Sequence, residues 1–437
     1  MMLNKKAGVL LAVLVIVAAG GATALYALSD RDSNSAYHSE DTTGRLSVYG
    51  NANNDDYLDS DDIAVLEAII ANPTEVKDHP LADANQDGTV DQRDIDMVKQ
   101  MIAGETMEIY VLQQYSGSPE TVKIDYPITA NVCVAGYEAL TIMKAIGAKS
   151  AICALSGASG NSFDPILYSD VYDLPKIGGT VWTVNTEQIP EYGVKTIITM
   201  DSKSYIPNYE VISAADVNIV RITAANGLTS LSGIVTLGFL TQHQETANEL
   251  IAFYEGIMKT IGEKVNGIGE SDRATSLFVT MSNYVEGPLS DYYGSSELAG
   301  SNNLADWTDK ERQQFKIGEE WLWDEKYQAQ FIVHSRALGL GGTVNVQEQW
   351  DKYSVYFHDM DAYKNGGYFM LNSALPVVMR IAFMAEQFYP DLFEDGWAEE
   401  LLQHYFYTFM DNLRDSGYNV SQGNWVVTAA NLKQAGS

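Results

Sequence analysis

The segment ADANQDGTVDQRD, residues 82–94, places an oxygen-bearing side chain at every second position and a glycine among them. Calcium is a hard cation that takes about six to eight oxygen ligands, so such a segment must bend until alternate side chains converge. Glycine relieves the tightest point of that bend. Asp83, Asn85 and Asp87 fall at positions 1, 3 and 5 of the calcium loop, Gly88 at 6, the Thr89 carbonyl at 7, and Asp91 and Asp94 at 9 and 12. The pattern occurs once more upstream, as NANNDDYLDSDD, with Asn51, Asn53, Asp55, the Tyr57 carbonyl, Asp59 and Asp62 in the ligand places. There Asp56 replaces the glycine. The chemistry expected is the binding of one or two calcium ions, the plain alternative being a solvated acidic turn.

Such loops need helices to hold them. IAVLEAIIA follows the first loop and IDMVKQMIAG the second, so two loop–helix units recur at one spacing and form an internal repeat. Over residues 46–104 this pair resembles a type I dockerin module, with Asp rather than Glu as the last ligand. Dockerins dock to cohesin modules, so the resemblance implies a cohesin partner on a cell-surface scaffold. A calcium-stiffened spacer holding the next domain off a membrane is the other reading.

The chain before this module is equally informative. Lys5 and Lys6 precede an apolar run from Ala7 to Leu28, and an acidic tract, SDRDSNSAYHSEDTT, follows it. About 20 apolar residues suffice to cross a bilayer, and lysines stay on the cytoplasmic side. Residues 1–29 read as an uncleaved membrane anchor, or as a signal peptide cut near Ala22 to Ala27, and residues 30–45 as an acidic linker. Either way the rest of the chain is exported to the cell surface. An excess of 58 acidic over 27 basic residues, net −31, argues against nucleic acid as a partner. Two cysteines, Cys133 and Cys153, are too few for a disulfide scaffold and sit in apolar runs, as buried thiols or, alternatively, as one disulfide.

From about residue 106 onward, apolar strand-like runs alternate with helical periodicity. TANVCVA, YEALTIMKAIGA and KSAICAL read as strand, helix and strand, and VKTIITM and VNIVRI follow as further strands. Alternation of this kind predicts parallel sheets covered by helices, with ligands held at the carboxyl ends of strands. In HQETANELIAFYEGIMKTIGEKV, the residues Ala247, Leu250, Ile251, Tyr254, Ile257, Met258, Ile261 and Val265 form one apolar stripe on a long helix. A second α/β half begins at TSLFVTM and continues through QFIVH and GGYFML. The fold class is therefore α/β: two Rossmann-like lobes, residues 106–242 and 267–437, joined by one helix over 243–266. A small all-α calcium-loop domain and a membrane segment precede them.

This organisation resembles the metal-chelate class of ABC-transporter substrate-binding proteins, which carry ferric siderophores, haem or cobalamin. The matching segments are YPITANVCVAGYEALTIMKAIGA, IGGTVWTVNTEQIPEYGVKTIITMD, GEEWLWDEKYQAQFIVH and YPDLF, spread over 106–437. Val194-Lys195 and Ala329-Gln330 stand where the family has Pro-Asp before its ligand strands. The resemblance implies an ABC permease as partner, docked through Glu187 on the first lobe and Glu319 or Glu320 on the second. It places ligand contacts on strand-end loops: SGASGNS, Trp182, Asp201, Ser202 and Tyr205 in the first lobe, and Asn283, Tyr284, His334, Ser335, Arg336 and Tyr368 in the second. Aromatics there would stack on a flat macrocycle and an arginine would meet carboxylates or catecholates.

Two other classes fit the residues less well. A bare-metal binder needs about three or four convergent His and carboxylate ligands, whereas His38, His79, His243, His334, His358 and His404 are scattered. An enzyme riding on a dockerin would need a catalytic constellation, and no nucleophile elbow, HExxH or phosphate-cradling loop is present. A non-catalytic surface module attached through cohesin remains the alternative function.

Overall fold

The computed structural model describes the chain except residues 1–14, 19–20, 25–44, 116–117, 158–162, 203, 225–226, 289, 308–313, 317, 319–323, 325–326, 342–343 and 436–437. The expected membrane segment and acidic linker lie largely outside the described residues. Two described pieces of the former, Val15–Ala18 and Gly21–Ala24, pair as short antiparallel strands. Among the described residues no helix is long and apolar enough to cross a membrane.

The calcium-loop module is built from two helices, α1 (Ser60–Ala71) and α2 (Gln92–Ile102). Each starts on a capping box: Asp59 and Asp91 accept from backbone amides of the first turn, while Asp62 and Asp94 reach back to the cap amides. One carboxylate thus serves both as last loop ligand and as helix cap. The helices enclose a small core of Ala52, Leu66, Ile69, Ala84, Ile95 and Val98.

A feature the sequence reading did not place comes next. β1 (Met107–Tyr115) and β2 (Ser118–Tyr126) form a hairpin in continuous register, Met107 opposite Tyr126 through Tyr115 opposite Ser118. Its strands are amphipathic, and the buried side chains of Ile109, Val111 and Ile124 alternate with exposed polar ones only in part, which blurs the period-2 signal. The chain just before the first calcium loop pairs with this hairpin: Tyr49 donates to the Tyr110 carbonyl at 3.0 Å and Leu112 to that of Ser47 at 2.9 Å. Leu46, Val48 and Met101 join the main core, and the Tyr126 hydroxyl donates to the Met101 carbonyl at 3.0 Å. The module is therefore packed onto the rest of the protein.

Two sheets make up the remainder. The first is fully parallel, in the order β4 (Ile152–Leu155), β3 (Val132–Ala135), β5 (Thr196–Met200), β6 (Asn218–Ile222). These strands are almost wholly buried, as a sheet covered on both faces requires. Cys133 and Cys153 are free thiols within it, and burial pushes the Cys133 thiol up. Helix α3 (Tyr137–Ala145) leaves the end of β3, and α4 (Thr229–Leu240) follows the sheet.

Then comes α5 (Gln244–Val265), 22 residues long, whose buried face is the expected stripe with Gly262 added. The second sheet is mixed. Its central strands β7 (Thr275–Thr280), β11 (Phe331–Arg336) and β12 (Tyr368–Asn372) are parallel. Antiparallel β8 (Tyr284–Glu286) and β10 (Gln314–Lys316) extend one edge and β13 (Val426–Thr428) the other. The two-residue strand β9 (Asn302–Asn303) pairs with β7. Helices α6 (Asp291–Leu298), α7 (Val346–Tyr353), α8 (Val377–Phe388) and α9 (Trp397–Phe409) cover this sheet.

Leu250 sits mid-stripe on α5 with no exposure. Truncating such a residue leaves a cavity in addition to lost transfer energy, so Leu250→Ala is expected to cost about 2–5 kcal/mol. Chemical denaturation of the variant against the parent protein measures it.

Candidate functional site

The two calcium loops are built alike up to their fifth position. In the second, Asp83 accepts from the Asp87 amide at 3.2 Å and Asn85 from the same amide at 2.8 Å. In the first, Asn51 and Asn53 accept from the Asp55 amide at 3.2 and 3.1 Å. Asp62 and Asp94 are buried and each takes two loop amides, from Asn53 and Asp59 or from Asn85 and Asp91. Burial pushes the Asp62 carboxyl up to about 6 and raises Asp94 as well, so their charged forms gain from a nearby cation.

At position 6 the loops part. Gly88 adopts φ +89° and donates to Asp83 at 2.8 Å, the left-handed turn that glycine permits. Asp56 has a negative φ. Its carboxylate is instead gripped by Arg45 through the backbone amide and two guanidinium nitrogens. The second loop therefore fits a calcium ion: Asp83, Asn85, Asp87, Asp91 and Asp94 with the Thr89 carbonyl would hold it, as an oxygen-only set of the kind calcium takes. Arg93 now bonds Asp87 at 2.5 Å and Asp91 at 2.8 Å, but its side chain is 63% exposed and free to leave. In the first loop, Tyr57 and Asp59 hold the expected places, yet the glycine turn is missing. Among the described residues no three His, Cys, Asp or Glu side chains converge as a metal group.

A second site lies where helices from the two sheets meet. α3 begins just past the carboxyl end of β3, and α8 shortly past that of β12. Glu138 near the start of α3 accepts from Arg380 on α8 at 3.2 Å. Arg380 is 3% exposed; it also donates to the Leu375 carbonyl at 2.9 Å and lies over the Tyr292 ring at 5.2 Å. Its Nη1 has no hydrogen-bond partner. Close by, Gly227 leaves no room for a side chain, since a Cβ there would come within 2.4 Å of Ile381 and 2.8 Å of Leu298. The seam continues through Lys149 with Asp411 at 2.6 Å and buried Lys144 with Asn412 at 3.0 Å.

Of the expected ligand residues, Tyr205 reaches this seam and Trp182 bonds to Tyr205. Tyr205 stands within electrostatic range of Glu138, Tyr137 and Tyr292, hydrogen-bonds Trp182, and has its hydroxyl pushed well up by burial. Trp182 is 45% exposed. Asp201 is half-buried, its carboxyl pushed up to about 6 by burial although Arg221 is near, and the Ser202 hydroxyl accepts from the Ser204 amide at 3.3 Å. Asn283 and Tyr284 are half-buried beside Met281, which is 57% exposed.

Others pack elsewhere. β11 runs on through Arg336, so His334 and Ser335 lie inside the strand and not on a loop beyond it. His334 Nε2 donates to the Met281 carbonyl at 2.6 Å, which leaves Nδ1 to accept from the Tyr368 hydroxyl at 2.9 Å. Both residues are enclosed in an aromatic cluster with Tyr353, Phe357 and Trp350. Arg336 donates to the same Met281 carbonyl and stacks 3.6 Å from the Tyr353 ring centroid. Glu187 is exposed, on a turn rather than at a helix start. Glu319 and Glu320 lie outside the described residues, as does most of the SGASGNS loop. Glu138 and Arg380 went unread in the sequence. The available signal was a lone arginine in the apolar run VVMRIAF, a costly residue to bury without a partner.

Residues 49–103 match the family model of the dockerin type I domain. No curated protein matches the chain in sequence. Among solved structures, the chain is similar to an ABC transporter solute-binding protein from Sulfurospirillum deleyianum, at 15% identity and TM-score 0.53, covering 67% of this chain and 96% of that one. It is similar to the TroA-like periplasmic binding protein FepB of Veillonella parvula, at 15% identity and TM-score 0.52, covering 73% and 97%. It is also similar to Helicobacter pylori CeuE, solved as a nickel–histidine complex, at 13% identity and TM-score 0.52, covering 70% and 99%. At these identities the likeness is one of fold. The chain shares the mixed α/β fold of these solved structures.

His334 carries the pH prediction. Burial and Arg336 hold its pKa down at about 3, against an ordinary value near 6.5, despite the Met281 carbonyl. A basic group depressed in the fold stabilises above its unfolded pKa and loses that stability as pH falls, here from about 6.5 toward 3. The parent protein is expected to lose up to about 1.4 kcal/mol per pH unit more than His334→Gln across that window. Denaturant melts at stepped pH check it; equal slopes would refute it.

Proposed function

We propose that this protein is an extracytoplasmic substrate-binding protein of an ABC importer, capturing a metal chelate of the ferric siderophore, haem or cobalamin class. Residues 106–242 and 267–437 act as two lobes joined by the α5 helix, and the chelate enters between them. The observation that carries the reading is the seam itself. Helices that start beyond the carboxyl ends of strands in two separate sheets meet there through Arg380 and Glu138. Ligands of α/β sheets bind at such ends.

Trp182 and Tyr205 supply aromatic faces at this seam, and Asp201, Ser202, Asn283 and Tyr284 its polar rim. Arg336 anchors the Met281 loop behind it, with His334 and Tyr368 as the packed support of that loop. Glu187, with Glu319 or Glu320, meets the permease by charge, since exposed charge steers docking. The N-terminal segment tethers the chain to the cytoplasmic membrane, or is removed on export. The dockerin-like module offers itself to a cohesin.

Thermal unfolding of the chain with haem, a ferric catecholate, ferric citrate and cobalamin tests the reading. Ligand at a thousandfold excess over its dissociation constant adds about 4 kcal/mol, so one member of the panel is expected to raise the melting temperature clearly. Trp182→Ala, at an exposed position, is expected to weaken that ligand by about 1 kcal/mol while leaving unliganded stability unchanged. No shift with any of the four would sink the chelate reading.

A further inference from the structure

We infer that the first calcium loop is closed by the protein's own cation, Arg45, so that the chain takes one calcium ion, in the second loop, and not two. The geometry of the two loops differs at just the places this requires. Position 1 is Asp83 in one and Asn51 in the other. Asp83 offers two oxygens, one for the Asp87 amide and one for the Gly88 amide. Asn51 offers one oxygen, and its amide nitrogen donates instead to the carbonyls of Leu46 and Asp55, both at 2.8 Å. That nitrogen stands where Asp83 uses its second oxygen to take the Gly88 amide, so Asn51 brings no negative charge to the loop and its –NH₂ cannot coordinate a hard cation. The Asp55 carboxylate takes the Tyr57 amide at 2.8 Å as Asp87 takes that of Thr89, but its second oxygen accepts from the neighbouring loop residue Asn53 at 2.7 Å where that of Asp87 holds only the exposed Arg93.

Position 6 completes the substitution. Where Gly88 turns left-handed, Asp56 does not, and its carboxylate holds Arg45 in a multidentate grip. Arg45 does not lie loose on the surface. Its side chain is 12% exposed, its Nη1 donates to Glu255 on α5 at 2.7 Å, and its carbonyl accepts from Ser232 on α4 at 2.7 Å. Exposed pairs like Arg93 with Asp87 and Asp91 are worth little and yield to a divalent ion, whereas a half-buried networked pair resists displacement. A fixed guanidinium beside the loop also repels a second cation. In the first loop Arg45 therefore does what calcium does in the second, and it also fastens the loop to the long helix.

Isothermal calcium titration of the chain tests this. One ion per chain is expected, abolished by Asp83→Ala and untouched by Asp55→Ala. Two ions per chain, or a lost ion in Asp55→Ala, would overturn it. Arg45→Gln gives an independent readout: its melting temperature is expected to fall and to stay low in saturating calcium. An unchanged melting temperature, or its full restoration by calcium, would refute the role of Arg45. Should Arg45→Gln fail to fold, the stoichiometry of Asp55→Ala decides alone.

Discussion

A helix of 22 residues with a single apolar stripe cannot stand alone in water, because its stability comes from covering that stripe. In this protein the covering is done by elements from every part of the chain. The α4 helix packs along α5 from the first half, α8 and α6 approach from the second, and α3 touches it as well. Glu255, on the polar side, ties in the calcium-loop module through Arg45. One buried stripe thus sets where each sheet sits relative to the other.

That constraint shapes the seam. With both halves held against one stiff helix, the helix starts beyond β3 and β12 are brought together, and Arg380 is left in a place that water does not reach. A buried guanidinium is costly without partners, and this one has Glu138, a carbonyl and an aromatic face, yet still one free nitrogen. The Tyr292 ring lies beside Arg380, and Tyr205 stands within electrostatic range of both Tyr292 and Glu138.

The calcium-loop module belongs to the same mechanical unit. The Val48 strand segment is hydrogen-bonded to the β1–β2 hairpin, Met101 lies in the main core, and Arg45 bridges to α4 and α5. A flexible appendage would show none of these. The first loop is the more buried of the two, and Asp56, standing where the second loop has Gly88, ties it to Arg45.

Much of this was legible in the sequence because it is local. The α5 stripe was readable residue by residue, since a period of 3.6 leaves little choice of face. The longer parallel strands of both sheets were readable too, because strands buried on both faces must be continuous apolar runs, whereas β8, β9, β10 and β13 at the edges of the second sheet were not. The dockerin-like segment was legible by its fixed spacing, and the family model of the dockerin type I domain matches residues 49–103. Pairings between distant residues were not legible. The β1–β2 hairpin carries a mixed pattern whose burial depends on the module laid across it. Glu138 and Arg380 are 242 residues apart, Arg45 and Glu255 are 210 apart, and His334 became a packed neutral imidazole only because β11 runs on past it beneath Tyr368. Periodicity and ligand spacing are properties of neighbours along the chain. The identity of a buried charge's partner is decided by which surfaces the hydrophobic stripe draws together, and that exists only in the folded molecule.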